Sequence, residues 1–283
     1  MVPGELVTVT SNQVLRKLER SDIPAAMRLS TEAGWNQTED DWRLLVELAP
    51  DGCFAIEVDG ELASTTTLFT YGTKLGWIGM VLTRTDFRGR GLARLLLTHA
   101  LSIADSRGVE SVKLDATEQG RPLYEKLGFH NEQIVERWER PAEIREATQQ
   151  NVADARFPDK PFALDAEAFG ADRSALLTFL AKHHPPVVIG NSFLLTRPGR
   201  LNRYLGPCVA ESSHIARDLI ESVIHEPISG GWFWDLLSEN KHAASLAREL
   251  GFVPMRRLVR MARGKELRAD EEAIYALAAF ELG

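Results

Sequence analysis

Arg88-Gly89-Arg90-Gly91-Leu92-Ala93 is the stretch of this chain whose residue types and spacing best suit chemistry. It follows an apolar run and opens an amphipathic segment. Glycine at 89 and 91 lets a ligand approach the backbone with no Cβ in the way. Amides at the start of a helix lack partners within the helix, converge on one point and carry partial positive charge. Guanidinium groups at 88 and 90 suit the outer oxygens of a phosphate. The chemistry expected here is therefore the holding of a phosphate-bearing ligand. Two common phosphate motifs do not fit. A P-loop needs G-x-x-x-x-G-K-[ST], and no lysine follows in that position. A dinucleotide fingerprint needs a third glycine where Arg94 stands.

The flanking residues dictate the elements that carry this loop. Residues 74–85 are rich in β-branched and apolar types and predict a strand. Leu92, Leu95, Leu96, Ala100, Ile103 and Ala104 recur at helical spacing over 91–107, and Gly108 ends that helix. Residues 111–116 alternate as a strand, and 119–127 form a short helix before Gly128. Upstream the pattern predicts strand 13–20, helices 22–33 and 39–48, and strands 53–58 and 61–70; downstream it predicts strand 131–139. Asp22 and Thr38 suit helix N-caps. Asp59-Gly60 suits a hairpin turn of the primed type. Pro50-Asp51-Gly52 suits a helix stop.

The 283 residues are enough for one large or two medium domains. Residues 141–160 are polar and aperiodic. The expected division is 1–145, a linker at 146–160, and 161–283. The second part repeats the first at a constant offset of 123 residues. Leu123, Leu127, Gly128, Phe129 and Arg137 face Leu246, Leu250, Gly251, Phe252 and Arg260. Upstream of this match, 204–212 and 232–237 predict strands and 214–224 a helix. The repeat lacks the arginine–glycine loop, with Glu211-Ser212-Ser213 in its place, and has Ala247 opposite Tyr124. A cradle without glycine and beside an acid holds diphosphate poorly, so one such site per chain is expected, in the first half. Trp232, Phe233 and Trp234 form an aromatic cluster on strand 232–237, with one side expected in the core and the other free to wall a pocket between the domains. Arg197, Arg200 and Arg203 read as a solvated basic turn, and His183-His184 as a helix end. The apolar segment 271–283 is expected to dock on the body.

A net charge of −7 argues against general nucleic-acid binding and leans toward a cationic acceptor. No apolar run approaches membrane-spanning length, and the first residues do not read as a signal peptide. Cys53 and Cys208 sit among apolar neighbours and are expected as buried thiols in a reducing, cytoplasmic setting. No cluster has metal-ligand spacing. Oligomeric state is not legible.

The loop resembles the diphosphate loop of the GNAT acyltransferase superfamily, Q/R-x-x-G-x-G/A, with Arg88, Gly91 and Ala93 in its defining positions. The resemblance continues through strand, loop, helix and strand to an L-Y-x-x-L-G-F signature at Leu123, Tyr124, Leu127, Gly128 and Phe129. The whole chain is similar to bacterial tandem GNAT proteins with a degenerate second domain. The fold this implies is α/β (α+β): two tandem GNAT folds, each a mixed, mostly antiparallel central sheet flanked by helices.

The resemblance implies an acetyl-CoA-dependent N-acetyltransferase. Diphosphate would meet the backbone of Arg88, Gly89, Arg90, Gly91, Leu92 and Ala93, and the pantetheine arm would pair with backbone at Leu82 and Thr83. Thr117 stands where many relatives place an asparagine that holds that arm. An alkyl amine of pKa near 10.4 is neutral in about one molecule per thousand at pH 7, a deficit of about 4–5 kcal/mol. A general base removes part of it; Asp115 is the candidate, with Asp41 or Glu39 as alternatives. Tyr124 stands where many GNAT enzymes protonate the departing thiolate. The acceptor contacts expected are Trp35, Asn36, Asp41 and Trp42, for which helix capping and core packing are equally good readings. The acceptor expected is a small-molecule amine attacking directly in a ternary complex. Transfer to a protein N-terminus or lysine, and a non-catalytic acyl-CoA sensor, remain open alternatives.

Overall fold

Short β-rich runs separated by turn residues make residues 1–112, the first of two compact units, an antiparallel meander. The computed structural model describes residues 8–10, 12–142, 161–225 and 230–283, so the expected linker at 146–160 lies outside the described residues. Strands β1 (Thr8–Thr10), β2 (Gln13–Lys17), β3 (Cys53–Val58), β4 (Glu61–Tyr71) and β5 (Leu75–Thr83) pair in sequence order. Helices α1 (Ile23–Glu32) and α2 (Glu39–Leu48) lie between β2 and β3 in sequence.

β2 ends earlier than the pattern predicts because Glu19 opens a 3-10 turn over Arg20–Asp22. Asp22 precedes α1 but caps none of its amides. Its carboxylate accepts from Arg16 at 2.7 and 2.8 Å and from the Glu19 amide at 2.8 Å. Thr38 does cap α2, in a reciprocal box with Asp41. Asp59 (φ 54°) and Gly60 (φ 81°) turn β3 into β4 with the primed geometry. Helix α3 (Leu92–Ser106) lays Leu92, Leu96, Leu97, Ala100, Leu101 and Ala104 on β3, β4 and β5.

The second unit, residues 113–283, takes up the chain inside β6 (Ser111–Ala116). It continues through α4 (Arg121–Lys126), β7 (His130–Arg140), α5 (Pro161–Phe169), α6 (Ser174–His183), β8 (Val187–Ile189), β9 (Ser192–Arg197) and β10 (Arg203–Val209). There follow α7 (Ser213–Ile224), β11 (Trp232–Leu237), α8 (Lys241–Glu249), β12 (Val253–Gly264) and β13 (Ile274–Ala276). The strand order is β6-β12-β7-β11-β10-β9-β8, with β13 added on β10. β10 and β11 run parallel; β12–β7, β7–β11, β10–β9, β9–β8 and β10–β13 are antiparallel.

This order exchanges the last strand of each repeat. β7 ends the first repeat in sequence, yet it lies between β12 and β11. β12 ends the second repeat and lies between β6 and β7. Two buried ion pairs fix the exchange. Arg137 on β7 donates Nε and Nη2 to Asp235 on β11 at 2.7 and 2.6 Å. Arg260 on β12 donates Nε and Nη2 to Asp115 on β6 at 2.9 and 3.0 Å. Arg137 and Arg260 are repeat equivalents, so one interaction is made twice with the partners exchanged. β7 pairs with both β11 and β12, which places it in the second unit.

Two expectations for the second part are corrected. β11 is buried along its whole length. Trp232, Trp234 and Leu236 join the core formed with α7 and α8, while Phe233 lies under the Arg137 guanidinium, 4.8 Å from the ring centroid. Arg197 is not solvated. It is 4 % exposed, lies over Tyr204, and donates to the Ala278 carbonyl at 2.7 Å. Helix α6 ends at His183 and Cys53 and Cys208 are buried free thiols, as read. Burial pushes the Cys53 thiol up to about 12 and the Cys208 thiol higher still.

Candidate functional site

The loop is positioned by an irregularity in β5. Thr67 faces Gly79 and Thr65 faces Leu82, so β5 spends three steps where β4 spends two. Met80 adopts φ 49° at this bulge. Hydroxyls of β4 satisfy the carbonyls it displaces: Thr65 donates to Met80 O at 2.8 Å and Ser64 to Leu82 O at 2.7 Å. Ser64, Thr65, Thr66 and Thr67 are fully buried on β4. No sequence pattern announced this polar row, although four consecutive hydroxyls in a strand are its visible signature.

Beyond β5 a 3-10 turn over Thr85–Phe87 leads into the loop. Phe87 is buried, and the guanidinium groups of Arg84 and Arg90 lie 4.3 and 4.8 Å from its ring centroid. Arg90 also donates to Asp86 O at 3.3 Å, and Arg88 to Thr83 O at 3.2 Å. Both arginines are anchored inside the loop, yet each keeps further N–H donors and remains exposed. Gly89 and Gly91 have φ 77° and 78°, and a Cβ at either would meet no atom within 4 Å. Space does not demand glycine there; the left-handed backbone does.

Gly91 is the N-cap of α3 and makes no side-chain cap. The amides of Leu92, Ala93 and Arg94 form the first turn, where no intrahelical acceptor exists. A positively polarised cluster of N–H groups beside two exposed guanidinium groups fits a diphosphate by its donor chemistry. Leu82 and Thr83 end β5, one short turn before this loop. Their carbonyls accept from Ser64 and Arg88, respectively, so part of their backbone capacity is already engaged.

The second unit holds the other candidate residues. Tyr124 on α4 is 8 % exposed, sits edge-on to Phe129 with centroids 6.1 Å apart, and is pushed up to about 12 by burial. Among the described residues no protein group hydrogen-bonds its hydroxyl. Its ring lies so close to Gly120 that a Cβ there would approach Cε2 to 2.9 Å. Thr117 Oγ1 accepts from the Gly120 amide at 3.1 Å, which steadies the turn into α4. Thr117 therefore shapes the backbone beneath Tyr124.

Asp115, the candidate general base, is held in a buried ion pair. Its side chain has no exposure and both carboxylate oxygens accept from Arg260. Burial pushes its carboxyl up against the pull of Arg260. Burial likewise opposes the Arg260 charge, but Asp115 more than offsets it and holds that guanidinium protonated. A base must present a lone pair to its substrate, and here burial and one guanidinium hydrogen bond on each oxygen leave the carboxylate poorly presented.

Two of the expected acceptor residues make internal contacts in the first unit. Trp42 is fully buried in the first unit and donates Nε1 to Ser30 Oγ at 3.3 Å. Asp41 accepts from the Thr38 amide and hydroxyl at 2.8 and 2.9 Å and is 5 % exposed. Capping and packing account for both. Asn36 is 1 % exposed, and Trp35 alone of the four keeps partial exposure. Among the described residues no group of three or more His, Cys, Asp or Glu side chains is arranged to hold a metal ion, and no helix is long and apolar enough to cross a membrane.

Residues 15–129 match the acetyltransferase (GNAT) family, and residues 162–276 match an acetyltransferase (GNAT) domain. The uncharacterized N-acetyltransferase YitH of Bacillus subtilis is 28 % identical over 252 residues, covering 84 % of this chain and 87 % of that protein. A holothin acyltransferase of Pseudoalteromonas is 23 % identical over 269 residues, covering 88 % and 87 %. A solved structure of a candidate acetyltransferase from Pyrococcus horikoshii superposes with a TM-score of 0.84 at 23 % identity, covering 98 % of both chains.

Proposed function

Given that this chain belongs to the GNAT acetyltransferase family and carries two GNAT segments in tandem, we propose that it transfers an acetyl group from acetyl-CoA to a small-molecule amine. The observation that carries this reading is the loop 88–93, exposed over 88–91, with its two left-handed glycines and the uncapped first turn of α3. We take the domains as 1–145 and 161–283, joined by 146–160; the two family matches lie inside those ranges.

In this reading the amides of Gly89 to Ala93 and the guanidinium groups of Arg88 and Arg90 hold the diphosphate. Backbone at Leu82 and Thr83 holds the pantetheine arm. Acetyl-CoA supplies an acyl group already activated as a thioester. Tyr124 acts as the acid that returns a proton to sulfur. Its raised pKa keeps the hydroxyl protonated throughout the neutral range, as a donor requires. With Asp115 committed to Arg260, deprotonation of the acceptor falls to water or to a carboxylate outside the motif. No buried cysteine is needed as an acyl carrier, because Cys53 and Cys208 are held as neutral thiols. Trp35 is the acceptor contact best supported, by its partial exposure.

Thiol release from acetyl-CoA, followed across amines, polyamines and peptides, tests the reading. Release with a small amine supports it. Release with peptides alone transfers the assignment to protein acetylation, and tight binding of CoA without release for any acceptor makes the chain a sensor.

A further inference from the structure

The second repeat reproduces the bulge that positions the loop in the first. Leu205 faces Thr196 and Cys208 faces Leu194, again three steps against two. Gly79, Met80, Val81, Leu82 and Thr83 thus correspond to Leu205, Gly206, Pro207, Cys208 and Val209. The left-handed residue recurs as well, with Met80 at φ 49° and Gly206 at φ 141°. Cys208 and Val209 are accordingly the counterparts of Leu82 and Thr83.

In the second repeat those two positions are already paired. β10 and β11 are in register only from Arg203 to Leu205. Past that point β10 turns to β13, with Cys208 facing Ala276 and Val209 facing Ile274. The same segment reaches β11: the Leu277 amide donates to Asp235 O at 2.8 Å, and Trp234 Nε1 donates to Tyr275 O at 2.7 Å. The Ala210 amide donates to Ala273 O at 3.0 Å, and the Tyr275 hydroxyl meets Ser213 Oγ at 3.0 Å at the start of α7. Asn240 Nδ2 donates to the carbonyls of Glu272 and Ile274 at 2.8 and 2.9 Å. Ile274, Tyr275, Ala276 and Leu277 are each at most 3 % exposed. Gly206 is glycine for this contact, since a Cβ there would lie 2.0 Å from Leu277 O.

We propose that segment 273–278 is a resident stand-in for a pantetheine arm: it fills the divergence between β10 and β11 with its own amides and seals the second repeat against CoA. The absent glycine loop removes the diphosphate grip, and the segment independently removes the slot. The identification of the slot rests on the assignment of Leu82 and Thr83 in the proposed function.

Hydrogen exchange on the full chain, with and without CoA, tests the seal. In the ligand-free chain, amides 274–278 should exchange at least ~100-fold more slowly than those of the irregular stretch 265–269. Saturating CoA should protect 82–94 and leave 204–212 and 274–278 unchanged. Exchange of 274–278 at the rate of 265–269 would overturn the proposal. So would protection of 204–212 by CoA accompanied by faster exchange at 274–278, which would make the segment a displaceable gate. Lack of protection at 82–94 would count against the acetyl-CoA reading instead, and the ligand-free comparison would still decide the seal.

Discussion

At the scale of single residues, burial separates the ionisable groups that can act from those that only hold. Among the described residues the Tyr124 hydroxyl has no protein partner, whereas both oxygens of Asp115 accept from Arg260. Tyr124→Phe is expected to lower turnover roughly ten- to a thousandfold with CoA affinity nearly unchanged. Steady-state kinetics beside a CoA titration checks this, and unchanged turnover removes Tyr124 from the chemistry. The same hydroxyl predicts an alkaline signature. An unfolded tyrosine ionises near 10, while the native one holds its proton to about 12. Between those values the native state binds more protons than the unfolded state, so this contribution to stability is intact below pH 10 and disappears toward pH 12. Denaturant melts of Tyr124→Phe should lose stability less steeply over that window than those of the unchanged chain. Identical slopes would show the phenol to be unperturbed.

At the scale of elements, what was legible in the sequence followed from periodicity and turn chemistry. α2 and β11 fall on their expected residues because Thr38 fixes one boundary and an apolar run interrupted only by Asp235 fixes the other. The loop was legible because glycine at 89 and 91 has few other uses ahead of a helix. β2 was read too long because residues 18–20 remain compatible with a strand until Glu19 and Asp22 close a 3-10 turn. The acceptor side was the least legible. Asp41 and Trp42 have side chains that suit a ligand, a cap or a core equally well, and only burial distinguishes these uses. Ser212 caps α7 by accepting from the Ile215 amide at 3.3 Å, in place of the glycine loop of the first repeat. Ser212→Ala should cost about 1 kcal/mol of stability in a urea melt and leave CoA binding untouched. Weakened CoA binding would bring the second repeat into the cofactor site.

At the scale of the whole chain, the repeat announced its own equivalences but not their use. Arg137 and Arg260 matched in register, yet their partners, Asp235 and Asp115, belong to the opposite repeat, and pairing across repeats is invisible to a linear comparison. A buried pair broken from one side is strongly destabilising, whereas both partners can be replaced together at little cost. Arg260→Met should therefore cost about 3–5 kcal/mol, and adding Asp115→Leu should recover most of it. Recovery of stability with retained thiol release would also confirm that Asp115 is not the base. An additive loss would mean that the two side chains do not act as a pair. The buried thiols give an independent check on the two cores. Cys53 and Cys208 should resist a thiol reagent in the native chain and react on unfolding.

The central claim is that backbone near position 90 grips the diphosphate of coenzyme A. Calorimetric titration of CoA into the unchanged chain and into Gly91→Val addresses it directly, because a β-branched residue cannot easily hold the left-handed backbone of φ 78°. One CoA per chain, with affinity reduced at least tenfold by the substitution, is the predicted result. No heat from the unchanged chain, or equal affinity in the two, contradicts it.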